Sequence, residues 1–258
     1  MSAENWGGRP RDWAELAEPS NRALYETVLA KLGIGQGTEL LDIACGSGYA
    51  LSMAAERGAA LTGIDITPEL LKIARERVPE AVLMAGGMDK LPFLDERFDV
   101  AVGFNAFQFA ESPESAVTEA ARVVRAGGLV AASTFAEPER NQSTALHLAL
   151  EPLRSGAPGA GAHLPYSLSE PGGLEALLAS AGLEPVTSGE VALIWGHADV
   201  DRAVRAVLAS GGGALAIEAA GVEAARDALS AAVVPFTLPD GRVEMQNVFR
   251  FAIARRDS

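Results

Sequence analysis

Asp42, Gly46 and Gly48 lie where an apolar run, Leu40-Leu41-Asp42-Ile43-Ala44, passes through Cys45 into a turn and a helical segment begins. Glycines at such a turn let the backbone bend sharply and let a ligand approach with no Cβ in the way. The amide-rich N-terminus of the following helix points at that ligand. A dinucleotide fingerprint, G-x-G-x-x-G/A, needs a third small residue, and Leu51 stands in its place. A carboxylate at the mouth of the turn also repels a pyrophosphate and attracts a cation. Asp42 therefore points to a positively charged ligand; its plain alternative is a loop-ordering or capping acid. Asp65 lies 23 residues further on (65 − 42). An acid about 20 residues past a glycine-rich turn commonly takes ribose hydroxyls, and a carboxylate can accept both hydrogen bonds of a vicinal diol. Ile66 follows, placed to pack on one face of a base.

Other reactive types carry less. Cys45 is the only cysteine; it sits in the turn without a base partner and reads as a small packing residue. With one cysteine and three scattered histidines, no zinc site is expected. No residue has a spacing that marks it as catalytic. His163, Tyr166 and Gln108 are the candidates, with His147, His197 and Glu190 as further possible bases, each weighed against a solvated or core role.

These residues must be positioned by alternating strands and helices. Ser20 is placed to cap a helix over 21–32, whose Leu24, Val28, Leu29 and Leu32 recur at helical spacing. Strands are expected over 40–44, 59–66, 81–85, 98–104 and 129–135. Helices are expected over 50–57, from Pro68 to about 78, and from Ser112-Pro113 through Val124, closed by Gly127-Gly128. Five strands alternating with helices imply a doubly wound parallel sheet, with ligands at the C-terminal strand ends. Every polar residue singled out in this half falls at such an end. Beyond Phe135 the pattern loosens. Short helices are expected over 144–153, 173–181, 199–209 and 222–232, with Gly211-Gly212-Gly213 and a short helix between the last two, and strands over 191–195 and 248–254. Met1 to Pro19 shows no clear periodicity and is expected to be a partly ordered arm.

The 258 residues, 48% hydrophobic, suit one large α/β domain. A net charge of −13 disfavours a non-specific nucleic-acid binder. No apolar run is long enough to cross a bilayer, and the polar first 19 residues do not read as a signal or transit peptide. A cytoplasmic enzyme with no membrane or nucleic-acid partner is expected, as a monomer or homodimer.

Taken together, five pieces resemble the class I S-adenosylmethionine-dependent methyltransferases of the small-molecule, methyltransferase domain 11-like or ubiquinone-biosynthesis-like type. They are Leu40-Leu41-Asp42-Ile43-Ala44-Cys45-Gly46-Ser47-Gly48, Gly63-Ile64-Asp65-Ile66-Thr67, Asp89-Lys90-Leu91-Pro92-Phe93, Arg97-Phe98-Asp99-Val100 and Glu119-Ala120-Ala121-Arg122-Val123-Val124-Arg125-Ala126-Gly127-Gly128. They run in the family's order over roughly residues 20–135. Each alone is weak; the set is specific. One departure is Ala44, where the family often has glycine.

The resemblance implies a Rossmann-like, seven-stranded α/β sheet of five parallel strands plus a C-terminal antiparallel hairpin, with helical insertions after the fifth and sixth strands. Residues 1–19 would be an arm and 20–258 one domain, with 136–171 and 196–245 as lid or substrate-side insertions. It implies S-adenosylmethionine as cofactor, S-adenosylhomocysteine as product and a small-molecule acceptor. The cofactor would be held by Asp42, Ala44, Cys45, Gly46, Gly48, Asp65, Ile66, Gly87, Met88, Asp89, Phe104 and Asn105. Asp89 would accept from the adenine amine, and the Phe104 carbonyl from the cofactor ammonium. Phe107, Gln108 and Phe109 would wall the transfer cavity. Two other readings share the pocket: a cofactor-binding protein that runs a cyclisation or rearrangement, and a non-catalytic partner subunit. The intact set of Asp42, Gly46, Gly48, Asp65 and Asp89 speaks against the last.

Overall fold

A computed structural model describes residues 2–154 and 165–257. Seven strands form one sheet: β1 (Glu39–Ile43), β2 (Ala60–Asp65), β3 (Val82–Ala85), β4 (Phe98–Phe104), β5 (Val124–Phe135), β6 (Leu183–His197) and β7 (Val243–Arg256). Their spatial order is β3-β2-β1-β4-β5-β7-β6. The first five pair in parallel, and β7 pairs antiparallel with both β5 and β6. The chain leaves β1 toward β2 on one side and returns to β4 on the other. The crevice between β1 and β4 is therefore the switch point at which such sheets bind ligands.

Apolar runs in β1, β2 and β4 are buried on both faces, as parallel strands require. One face packs on α3 (Arg22–Lys31) and α4 (Tyr49–Ala55) through Leu24, Val28, Leu29 and Leu51. The other packs on α6 (Pro113–Val123) and α8 (Gly173–Ser180) through Val117, Ala120, Leu174 and Leu177. Ahead of them run two short helices, α1 (Ala3–Gly7) and α2 (Pro10–Asp12), and between α4 and α6 lies α5 (Pro68–Arg77). A separate apolar cluster joins α7 (Thr144–Arg154), α9 (Val200–Leu208), α10 (Gly211–Ala220) and α11 (Val222–Val233). The segments after β5 and β6 thus meet in one helical cap. Among the described residues no single helix is long and apolar enough to cross a membrane.

Four expectations need correction. The arm is not loosely ordered: α1 and α2 lead into a π-helical turn over Trp13–Ala17 and a 3-10 turn over Glu18–Asn21, pinned by an Asp12–Arg205 ion pair at 2.5 Å and by Arg77 on the Ala14 carbonyl at 3.1 Å. Strand β5 begins at Val124, before Gly127-Gly128, with a shift of register between Phe98 and Val100; the glycines lie inside the strand, where a Cβ at Gly128 would collide with the Asp99 carbonyl. Strands β6 and β7 are much longer than their apolar centres. Gly211-Gly212-Gly213 is not a spacer but the first turn of α10, capped by Ser210, whose Oγ accepts from Gly213 N at 3.2 Å.

The Leu91-Pro92-Phe93 and Glu119-to-Arg122 pieces interlock. Glu119 accepts from Leu91 N at 2.8 Å, while Arg122 donates to the carbonyls of Leu91 at 3.0 Å and Phe93 at 2.8 Å. Arg122→Ala is expected to cost about 2 kcal/mol, read as a lower urea midpoint; an unchanged midpoint would show that the loop holds without it.

Candidate functional site

The ends of the parallel strands open into one cavity of about 210 Å³. Ala44, Cys45 and Gly46 reach its wall after β1, Asp65 and Ile66 at the end of β2, Gly86 and Met88 after β3, and Phe104, Asn105 and Ala106 around the end of β4. Trp13 and Tyr25 close it from the N-terminal side, and Phe135, His147, Arg154, Trp195 and His197 from the cap side.

Asp42 lies on that wall, 2% exposed, and among the described residues nothing donates a hydrogen bond to it. Burial, and then the neighbouring Glu18 and Asp65, push its carboxyl well above the usual carboxylate range. Asp65 is tied down. One oxygen accepts from Gly46 N and the other from Thr67 N, both at 2.8 Å, so it joins the loop after β1 to the loop after β2. Burial raises its pKa, and the two amides work against that rise.

Two residues on the wall hold left-handed backbone: Ala44 at φ 58° and Asn105 at φ 50°. Such conformations are uncommon outside glycine and cluster at functional sites. At Ala44 a glycine would hold this backbone without a steric cost. Ala44→Gly should stabilise the protein by under about 1 kcal/mol, the left-handed cost removed less the freedom glycine loses; thermal melting checks it, and a lower melting temperature would show that the methyl group packs. The Asn105 amide oxygen is buried with no partner among the described residues, an acceptor held ready on the wall.

The structure brings most of the expected cofactor set together, but three residues stand off the wall. Gly48 caps α4 at φ 76°, where a Cβ would come within 3.0 Å of Ala74; it lets α4 and α5 approach. Gly87 lies beside Ile66 without lining the cavity. Asp89 is exposed and faces Ser112 N at 3.4 Å, at the start of α6, so its position is that of a turn acid.

A third carboxylate in the cavity comes instead from Glu18, a residue that the chain pattern does not single out. Glu18 is buried and accepts from Ser47 N at 2.9 Å, Trp13 Nε1 at 3.0 Å and Arg77 at 3.1 Å, and also from the Ser47 hydroxyl. Burial raises its pKa against those partners. Its only sequence signal is an acid just ahead of a helix.

The candidate bases scatter. His163 lies outside the described residues. Tyr166 is off the wall, its hydroxyl 2.7 Å from that of Thr144. Gln108 is off the wall too, with both amide atoms buried and unpartnered. Phe107 is core, whereas Phe109 lines the cavity and meets Trp6 edge-on at 5.5 Å between ring centres. Glu190 is committed to Arg140 and Arg250 at 2.7 and 2.8 Å. His147 and His197 do reach the cavity. Burial pushes His147 down to about 4, so it is neutral at pH 7 with an unpartnered Nε2, and burial lowers His197 as well.

Residues 41–132 match the methyltransferase domain family model. The chain is 34% identical over 108 residues to the malonyl-[acyl-carrier protein] O-methyltransferase of Serratia marcescens, a match covering 41% of this chain and 42% of that one. The chain spans just under half the length of the curated relatives it matches. Among solved structures, a putative methyltransferase from Bacillus halodurans superposes with TM-score 0.60 at 20% identity, covering 91% of this chain and 99% of that one. The 4+2 cyclase SpnF superposes with TM-score 0.59 at 20% identity, covering 91% and 80%. Residues 41–132 thus match a methyltransferase domain model, within a chain whose Rossmann-like fold is shared with that putative methyltransferase and with the cyclase.

Proposed function

We propose that this protein transfers a methyl group from S-adenosylmethionine to a small-molecule acceptor held between the strand ends and the helical cap. The observation that carries the reading is the buried Asp42 carboxylate, without a hydrogen bond among the described residues, on the same cavity wall as Asn105 with its unpartnered oxygen. Such a pair of acceptors costs stability until a cation or donor reaches it. The cofactor's groups fit: an ammonium to donate to Asp42, Asn105 and the Phe104 carbonyl, a sulfonium whose positive charge the same acceptors favour, and ribose hydroxyls for the lone pairs that remain on Asp65. Ile66, 39% exposed, and Met88 both line the cavity and would pack on the base.

When bound, that cofactor supplies an electrophilic methyl carbon. The chain's own residues do the rest. Trp13, Tyr25 and Phe109 line the cavity and exclude water from it. Phe135, Trp195 and His147 bound the space left for an acceptor. Holding nucleophile and methyl group in line supplies about 7–11 kcal/mol in favourable cases. Neutral His147 can take a hydrogen bond from an acceptor, though its low basicity suits a nucleophile that needs no strong base.

Radiolabelled methyl transfer to a panel of metabolites tests this. Label appearing in an organic product is the expected result. Cofactor binding with no transfer to any acceptor would favour the non-methylating reading, which a fold shared with a cyclase leaves open.

A further inference from the structure

The cap end of the cavity carries a buried positive charge that lacks a full set of partners among the described residues. Arg154, the last residue of α7, is 4% exposed and lines the cavity. Its Nη2 donates to the His147 carbonyl at 3.3 Å, and its Nε has no partner among the described residues. Glu151, on the same helix, attracts it electrostatically, but burial outweighs that attraction and holds the Arg154 pKa below its ordinary value. A buried guanidinium with spare donors is costly unless an anion reaches it.

A second feature converges on the same place. Ser210 and Gly212, at the start of the ten-residue helix α10, line this end too. The first two amides of α10, those of Gly211 and Gly212, have no intrahelical partner and carry the positive end of the helix dipole. The Cβ position of Gly212 is 3.4 Å from Arg154 Nη1, so the missing side chain lets the guanidinium lie against the helix start. The walls between this corner and the sheet are apolar, from Phe135, Trp195 and Val207.

Resting on the reading of the previous subsection, we propose that this corner is the anion site of the acceptor pocket. It takes a small apolar or aromatic acid by its carboxylate, gripped by Arg154 and the first amides of α10. The charge layout sets the orientation. Asp42 and Asp65 at the strand ends and Glu18 from the arm repel the carboxylate, Arg154 attracts it, and the opposite end of the acceptor faces the methyl donor.

The probes are 2-naphthoate and its neutral isostere 2-naphthamide, titrated by tryptophan fluorescence with and without saturating S-adenosylhomocysteine. The acid should bind about tenfold or more tightly than the amide. Arg154→Gln should abolish that preference, and Arg154→Lys should keep only part of it, with S-adenosylhomocysteine binding retained in both as the check on folding. Equal binding of acid and amide by the wild-type protein, or a preference that survives Arg154→Gln, overturns the proposal. Should Arg154→Gln fail to fold, the wild-type comparison and Arg154→Lys still decide. Failure of the wild-type protein to bind S-adenosylhomocysteine would instead count against the cofactor reading, and the acid-against-amide comparison without it still tests the anion site independently.

Discussion

Asp42→Asn should make the ligand-free protein more stable and the cofactor site worse. Asp42 is buried, faces two other carboxylates and receives no hydrogen bond from the described residues. Removing such a charge is expected to stabilise by about 1–2 kcal/mol at neutral pH. Affinity for the cationic S-adenosylmethionine should fall about 10- to 100-fold, and for S-adenosylhomocysteine, which lacks the sulfonium, by less. The sign of the pH dependence follows from the direction of the shift. Asp42 holds its proton more tightly folded than unfolded, so its contribution is full below the ordinary carboxylate range. It is lost as pH rises through the elevated folded value. Urea melts at pH 5 and pH 8 should show the wild-type protein losing stability with rising pH and Asp42→Asn losing less. A variant that is less stable, with the wild-type pH profile, would mean that Asp42 is an ordinary structural acid.

Asp65→Ala should damage both fold and site. Its two oxygens hold Gly46 N and Thr67 N at 2.8 Å in a buried setting. Deleting them strands two donors, at a net cost of about 2–3 kcal/mol once relief of the strained carboxylate is counted. The glycine turn loses its anchor together with the ribose acceptor, so the dissociation constant for S-adenosylhomocysteine should rise about 100-fold. Asp65→Asn keeps the volume and one acceptor oxygen and should fall between. Calorimetry gives the constants; an unchanged value for Asp65→Ala would contradict the ribose assignment.

The parallel half of the sheet was legible because burial on both faces writes itself as unbroken apolar runs in β1, β2 and β4. Asp42 and Asp65 could be placed because each sits in or at the end of such a run. The edge hairpin was legible only at its centre, since β6 is half exposed along its length and its first half carries Glu184, Thr187 and Gly189. Glu18 was out of reach of any local pattern. It meets Ser47 across 29 residues, and its place depends on how the arm docks through Trp13, Arg77 and Asp12. Asp89 shows the converse: a motif residue in the right order whose side chain turns to the start of α6. The cap was hidden for a third reason. Gly211-Gly212-Gly213 has low helix propensity, and tertiary packing overrides it: a Cβ at Gly213 would collide with the Val207 carbonyl.

A crystal structure with S-adenosylhomocysteine bears most directly on all of this. The expected result is the nucleoside in the crevice between β1 and β4, its ribose on Asp65 and its amino group near Asp42 and Asn105. The same molecule found elsewhere, or a diphosphate compound preferred in that crevice, would contradict it.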